Sequence, residues 1–265
     1  MKFPIKSIGQ AKNISVVVAA VMLSVLAGCA RAPAPQGIYD PDEGQNRGMH
    51  AFNLVLDRAI VSPGATGYGK IVPQPVQQGI SNVAGTLDLP GDIANNLLQF
   101  RFGNAAKNSL RLAVNLTLGI GGLFDPAKLM DLPENKTDFG ETLHVWGAEE
   151  GAYVVLPGIG PSTTRDTVGT IADLVLNPLR FVLPTAESNY ATLAKGASRL
   201  GDRNRYSDTV DSILYDSADG YAQARLLYLQ NRRFELGQNT DQSTGQTAAP
   251  DDSDAYDPYE DPYGQ

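Results

Sequence analysis

The sequence predicts a mainly α fold. Apolar residues recur at three- and four-residue intervals over most of residues 40–237, strand-like alternation is nearly absent, and a Gly- and Pro-dense stretch between 118 and 162 is the long exception. No internal repeat is visible.

In the first helix Asn46, His50, Asn53 and Asp57 fall at i, i+4, i+7 and i+11, which places them on one narrow polar stripe. Met49, Phe52, Leu56, Ala59 and Ile60 fall on another face. Pro63-Gly64 is expected to end this helix. His50 lies beside two Asn and an Asp, so it reads as part of a hydrogen-bonded face before a catalytic base or a ligand. Pro73-Gln-Pro75 punctuates the chain, and Pro75 suits the first turn of a short helix from Val76 to Val83. Leu89-Pro90-Gly91 predicts a second break, with Asp92 then capping Ile93 to Phe100. Asn104 is expected to cap the next helix. There Lys107, Arg111 and Asn115 form a polar row, and Ala106, Leu110, Ala113, Val114 and Thr117 face away, widened by Leu112 and Leu116. An apolar face that wide belongs either to burial on several sides or to contact with lipid.

Tyr153–Leu156 reads as a short extended piece, half of a hairpin. Thr163–Leu176 reads as a helix ended by Asn177-Pro178, Ala186–Leu200 as a weaker one, and Ser207–Leu236 as one long last helix. In that last helix Leu214, Tyr221 and Tyr228 repeat every seven residues beside Ile213 and Ala224, a stripe that ordinary core packing explains.

Charge and composition narrow the function. Only 19% of the 265 residues are charged and the net charge is −8. With 21 Lys and Arg and no basic block beyond the N-terminus, nucleic acid is not a partner. One Cys and two His exclude a disulfide framework and a Cys/His zinc site. Lys2, Lys6 and Lys12 precede an uncharged apolar run, Ile14–Ala27, too short to cross a hydrocarbon core of about 30 Å. Residues 1–28 therefore read as a secretion signal. Leu26-Ala27-Gly28-Cys29 has the form of a bacterial lipobox, and cleavage there leaves Cys29 N-terminal and lipid-modified. Ala30, in place of Asp, directs such a lipoprotein to the outer membrane. Residues 29–39 read as a lipidated, Pro-containing tether and 40–237 as the helical body. Residues 238–265, with seven acids and no base, read as a disordered acidic tail.

Searching for chemistry returns mostly absences. Gly119, Gly121 and Gly122 lie in Leu118-Gly-Ile-Gly-Gly-Leu-Phe124, but Phe124 stands where G-x-G-x-x-G needs its last glycine and no strand precedes it. There is no G-x-S-x-G elbow. Glu141 before His144 reads as surface pairing and Glu149-Glu150 as a turn, so no catalytic residue is assigned. The three glycines separate a strong helix from the Phe124-Asp125-Pro126 break. They read either as a left-handed helix cap with a tight turn or as a hinge.

These same segments carry a resemblance. Asp40-Pro-Asp-Glu-Gly-Gln-Asn-Arg-Gly-Met-His-Ala-Phe-Asn53, Tyr68 with Val72-Pro-Gln-Pro75, Asn115-Leu-Thr-Leu-Gly-Ile-Gly-Gly-Leu-Phe-Asp125, Asp138-Phe-Gly-Glu-Thr-Leu-His-Val-Trp-Gly147, Gly151-Ala-Tyr-Val-Val-Leu-Pro157, Gly160-Pro-Ser-Thr-Thr-Arg-Asp166 and Tyr228-Leu-Gln-Asn-Arg-Arg233 run in order along the chain. In this the sequence resembles the MlaA (VacJ) family of outer-membrane phospholipid-transport lipoproteins. Gln45 and His50 depart from it, standing where the family pattern has aromatic residues. The resemblance implies a ring-like assembly of amphipathic helices lying in the inner leaflet of the outer membrane, facing the periplasm. An amphipathic channel there removes phospholipid misplaced in the outer leaflet and passes it to a periplasmic carrier of the Mla pathway, which maintains lipid asymmetry. Trimeric porins are implied as partners; no metal, cofactor or covalent chemistry is implied. On this reading the Asn46, His50, Asn53 and Asp57 stripe lines the channel for the headgroup. Two other classes stay open: a structural lipoprotein that only docks on porins, and a periplasmic lipid-processing enzyme with His50 or His144 as its base.

Overall fold

The structure, a computed structural model, is described for residues 37–176 and 185–238. Cys29, the leader, the Asn177-Pro178 break and the tail beyond Gln238 lie outside the described residues. The fold is helical with one short hairpin. Helix α1 (Glu43–Leu56) runs through a π turn (Asp57–Val61) into α2 (Ser62–Ile71), so Pro63-Gly64 does not end the first helix. Pro63 falls in the first turn of α2, where a missing N–H costs least. The π turn before it shifts the ladder, with Ser62 N–H donating to Asp57 O.

The two short helices expected on either side of Leu89-Pro90-Gly91 are one helix, α3 (Gln74–Leu98), with Pro90 inside it. An interior proline costs about 3 kcal/mol. Packing on two sides, against α4 (Phe102–Thr117) and a later helix, outweighs it. Asp92 is consequently a mid-helix side chain and no cap. Helix α4 starts ahead of Asn104, at Arg101, with no side-chain cap. The Gly/Pro-rich middle contains two short helices with carboxylate caps, α5 (Pro126–Leu129) behind Asp125 and α6 (Phe139–Val145) behind Asp138. The extended piece is β1 (Tyr153–Leu156), paired antiparallel with β2 (Gly160–Thr163) in the register Tyr153 to Thr163.

Helix α7 (Thr164–Leu176) follows the hairpin directly, and α8 (Thr185–Arg205) outruns the weaker helix expected there. The long last helix is interrupted. After α9 (Ser207–Asp211) and a second π turn (Ser212–Asp216), Ser217 is extended, and the Asp219 side chain accepts the Ala222 N–H at 3.0 Å to start α10 (Gly220–Glu235) afresh. Helices α6 and α7 touch backbone to backbone: a Cβ on Gly169 would lie 2.6 Å from the Cα of Gly140. Among the described residues no helix is long and apolar enough to cross a membrane.

The aromatic stripe of α10 is core. Tyr221, Tyr228 and Leu229 pack on Tyr153 and Val155 of β1, with edge-on rings whose centroids lie 6.0 Å (Tyr153–Tyr221) and 6.4 Å (Tyr153–Tyr228) apart. Elsewhere the polarity is reversed. Among the described residues nineteen polar or charged residues are buried against eleven apolar ones, while thirty-one large apolar residues are exposed. A water-soluble domain buries its apolar residues instead, so this surface fits an apolar surrounding.

Helix α4 shows the inversion directly. Its buried face is Ala105, Asn108, Arg111, Val114 and Asn115, while Leu110 and Leu116 are 51% and 50% exposed. Of the two settings left open for that wide apolar face, burial on several sides is not the one observed.

Candidate functional site

The buried polar faces of α3 and α4 organise the centre. On α4, Asn108, Arg111 and Asn115 hold the segment that returns after the helix. Asn108 donates to Asn135 O at 2.9 Å and accepts Asn135 N–H at 3.1 Å. Arg111 donates to Leu132 O at 2.5 Å and pairs with Asp125, and Asn115 donates to Asp125 at 3.1 Å. On α3, Asp92, Asn95, Asn96 and Gln99 stand at i, i+3, i+4 and i+7. Asp92 accepts the Thr137 N–H at 3.2 Å, Asn95 donates to Asp173 of α7 at 2.9 Å, and Gln99 donates to Thr142 of α6 at 2.9 Å. Neutral amides serve here because each both donates and accepts, which satisfies a backbone that crosses the interior without regular structure.

Between these elements opens a cleft of about 1170 Å³. Its walls are mixed in character. Leu87, Leu98, Phe139, Ile159 and Leu174 supply apolar surface, while Asp88, Asp92 and Asn95 of α3, Arg101, Asn104, Glu134, Asp173 of α7, Lys195 and Arg199 of α8, and Arg232 supply polar groups. A second cavity of about 360 Å³ shares Asp88, Glu134, Lys136, Lys195 and Arg199 with it and reaches Asn115, Asp125 and Thr86. Most of the charges are matched. Lys195 pairs with Asp88, Arg101 with Glu141, and Lys136 with Glu134 at 3.7 Å. Arg232 forms a two-pronged pair with Asp138, at 2.7 and 2.8 Å, and reaches Asp166 at 3.0 Å. Burial works to raise the Asp166 carboxyl, yet Arg232, with Arg165 and Tyr228, outweighs it and holds the group below the usual carboxylate range.

Asp92 behaves oppositely. Burial pushes it up to about 7; the Thr137 N–H and Lys136 oppose the rise, and Glu134 and Asp88 add to it. A carboxyl whose folded pKa is raised stabilises fully below its unfolded value near 4, and that contribution is lost as pH climbs through about 7. Asp92→Asn is therefore expected to stabilise the fold by about 2 kcal/mol at pH 8 and by nothing measurable at pH 4. Denaturant unfolding at the two pH values checks this; an equal effect at both would contradict it.

The four residues of the first-helix stripe share a face, but Asn46 and Asn53 meet the hairpin, His50 meets α10, and Asp57 meets α8. Asn46 donates to Tyr153 O at 3.0 Å and accepts the Val155 N–H at 2.9 Å. Asn53 donates to Leu156 O at 2.9 Å and accepts the Gly158 N–H at 2.8 Å. The two amides thus cover the outer edge of β1 as a third strand would. His50 is buried edge-on to Tyr221, with its pKa lowered by burial. Asp57 receives both prongs of Arg203, at 3.0 and 2.9 Å, and the Tyr215 hydroxyl at 2.8 Å, which tie the two π turns together and keep its pKa below the ordinary range. Gln45 is exposed.

At the glycine waist the left-handed backbone starts later than a cap at Gly119 requires. Ile120, Gly121 and Gly122 have φ of 52°, 69° and 90°. Gly119 is needed for room: a Cβ there would strike the carbonyl oxygens of Asn115 and Phe124, the latter at 2.5 Å. At Gly122 a Cβ would lie 2.8 Å from the Thr86 side chain, whereas at Gly121 it would meet open space. Gly119→Ala is expected to cost about 2 kcal/mol or more. Gly121→Ala should cost about 1 kcal/mol, the strain of its backbone alone. Equal melting temperatures for the two variants would overturn that ranking.

Among the described residues no group of three or more His, Cys, Asp or Glu side chains is placed to hold a metal ion. The cleft residues Asp92, Asn95, Arg199 and Arg232 escaped the sequence reading. The signal available for the first two was the i, i+3, i+4, i+7 spacing of polar side chains on α3, and nothing local pointed to the others.

Comparison with known proteins gives consistent results. The family model described as MlaA lipoprotein matches residues 38–235. The chain is 34% identical over 219 residues to the Escherichia coli protein named intermembrane phospholipid transport system lipoprotein MlaA, covering 80% of this chain and 84% of that one. The Shigella flexneri protein of the same name is 35% identical over 216 residues, with the same coverage of the two chains. An uncharacterised Rickettsia felis protein is 35% identical over 189 residues, 71% of this chain and 74% of its own. A solved structure from work on the "Structural basis for maintenance of bacterial outer membrane lipid asymmetry" superimposes with a TM-score of 0.64 at 34% identity, covering 74% of this chain and 98% of that one. With the same family motifs laid along α1, the waist, the hairpin and α10, the chain belongs to the MlaA lipoprotein family.

Proposed function

We propose that this chain moves phospholipid, taking molecules misplaced in the outer leaflet of the outer membrane through the amphipathic cleft to the periplasmic side. The observation that carries this is the reversed polarity around the cleft. Exposed apolar side chains suit hydrocarbon on the outside, and a charged, partly apolar hollow suits a headgroup and the start of its acyl chains on the inside. A bare headgroup in hydrocarbon has no hydrogen-bond partners, and the cleft supplies them in place of water. The names of the Escherichia coli and Shigella relatives support the same role. Lipidated Cys29 anchors the chain, a trimeric porin holds it at depth, and a soluble periplasmic carrier receives the lipid.

The waist borders the second cavity through Asn115, Asp125 and Thr86, so its motion opens or narrows the path. The Asn46, His50, Asn53 and Asp57 stripe serves this path indirectly, by fixing the hairpin and α8 that frame it.

The test is the purified lipoprotein with its porin in asymmetric vesicles carrying labelled outer-leaflet phospholipid. The label is expected to leave that leaflet chemically unaltered and to appear on added carrier. No movement of lipid would leave a structural lipoprotein, and hydrolysed or transacylated label would make the protein an enzyme. In the same assay Gly121→Ala at matched folded levels should change the transfer rate; a wild-type rate leaves the waist as a helix cap alone.

A further inference from the structure

Within the cleft two carboxylate oxygens and one guanidinium are left without partners among the described residues. Asp92 is 6% exposed, and one carboxylate oxygen accepts the Thr137 N–H while the other, Oδ2, has no partner. Oε1 of Glu134, whose charge acts on Asp92, is also buried without a partner. Among the five cations lining the cleft, Arg101, Lys136, Lys195 and Arg232 are each paired with a carboxylate, and Arg199 makes no ion pair or hydrogen bond among the described residues. Buried polar atoms without a protein partner are met by water, an ion or a ligand, and these two carboxylates line the cleft.

We propose that the cleft selects phospholipids by headgroup, taking a primary ammonium on Asp92 Oδ2 and Glu134 Oε1 while the phosphate meets Arg199. This rests on the reading that lipid passes through the cleft. The donor count excludes the alternatives. Two carboxylates from Asp92 and Glu134 fall short of a divalent-ion cage, in agreement with the absence of any metal-competent cluster among the described residues. A primary ammonium brings three N–H donors to acceptors that lack them. A quaternary ammonium brings none, and a phosphoglycerol headgroup brings net negative charge toward Asp88, Asp92 and Glu134. A cation at this point also relieves the unfavourable ionisation of Asp92, because the opposite charge offsets the desolvation.

The experiment uses the full-length lipoprotein, equilibrated with vesicles of equal parts phosphatidylethanolamine, phosphatidylcholine and phosphatidylglycerol with matched acyl chains, then re-isolated for mass spectrometry of the bound lipid. Wild type is expected to hold phosphatidylethanolamine over the other two by about tenfold, the scale of one charge-assisted hydrogen bond. Asp92→Asn, nearly isosteric and still able to accept from Thr137, should bring phosphatidylethanolamine down to the phosphatidylcholine level, and Glu134→Gln should do so in part. Arg199→Gln should lower capture of all three lipids. Equal capture of the three lipids by wild type, or a preference that survives both carboxylate variants, overturns headgroup selection and leaves lipid passage standing. Failure of wild type to retain any phospholipid overturns lipid passage itself, and the selection with it.

Discussion

Arg232→Met is expected to cost about 3 kcal/mol, because it strips a cation from the buried Asp166 and from the half-exposed Asp138. Arg232 joins α10 to the cap of α6 through Asp138 and to the start of α7 through Asp166. Asp166 would keep Tyr228 and Thr163 as donors and only one bond from Arg165, at 3.2 Å. For a body of this length the melting temperature should fall by roughly 10 °C. Adding Asp166→Asn to Arg232→Met should recover nothing, since Arg165, 1% exposed and held at 3.2 Å by Asp166, then loses its carboxylate. A fall of under 1 kcal/mol in the single variant, or recovery in the double, would show that these ion pairs do not govern the joint.

The second large effect concerns the outside. Leu110→Asp with Leu116→Asp places two carboxylates on the outward face of α4, where neither leucine supports the interior. In water such exchanges at exposed positions change stability by only about 0.5 kcal/mol each. In hydrocarbon each charge costs about 2.5 kcal/mol or more. Binding to vesicles should therefore fall by at least about 100-fold, measured by flotation in a Cys29→Ala background so that no acyl chain masks the loss. Unchanged flotation would remove α4 from the lipid-facing surface.

The sequence's periodicities located most helices, and the seven-residue spacing of Tyr221 and Tyr228 identified real core. Periodicity does not say which face of a helix points inward, and α4 shows the consequence. Its polar row and apolar row were both legible, but only the packing of residues 125–135 reveals that Arg111 and Asn115 of the polar row are inside, joined by Asn108, while Lys107 is exposed. Pro63 and Pro90 are local signals for breaks that tertiary contacts override, by a π turn in one case and by two packed faces in the other. The interruption after Asp216 was written in Asp219-Gly220, a cap signal hidden inside an otherwise unbroken apolar pattern. The cleft was out of reach for a simpler reason: Asp92, Arg199 and Arg232 lie more than thirty residues apart along the chain, and nothing in their local sequence refers to one another.

An interior closed by amides and ion pairs has a calorimetric consequence. Exposing apolar surface to water raises the heat capacity of a protein, and exposing polar surface lowers it. Unfolding here uncovers Asn95, Asn96, Asn108, Asn115 and their partners in place of the usual aliphatic side chains, and much of the apolar surface is already outside. The heat-capacity increment per residue should fall below the ordinary range of about 12–15 cal/mol/K. The stability curve then flattens, its maximum becomes broad, and cold denaturation retreats to temperatures far below freezing.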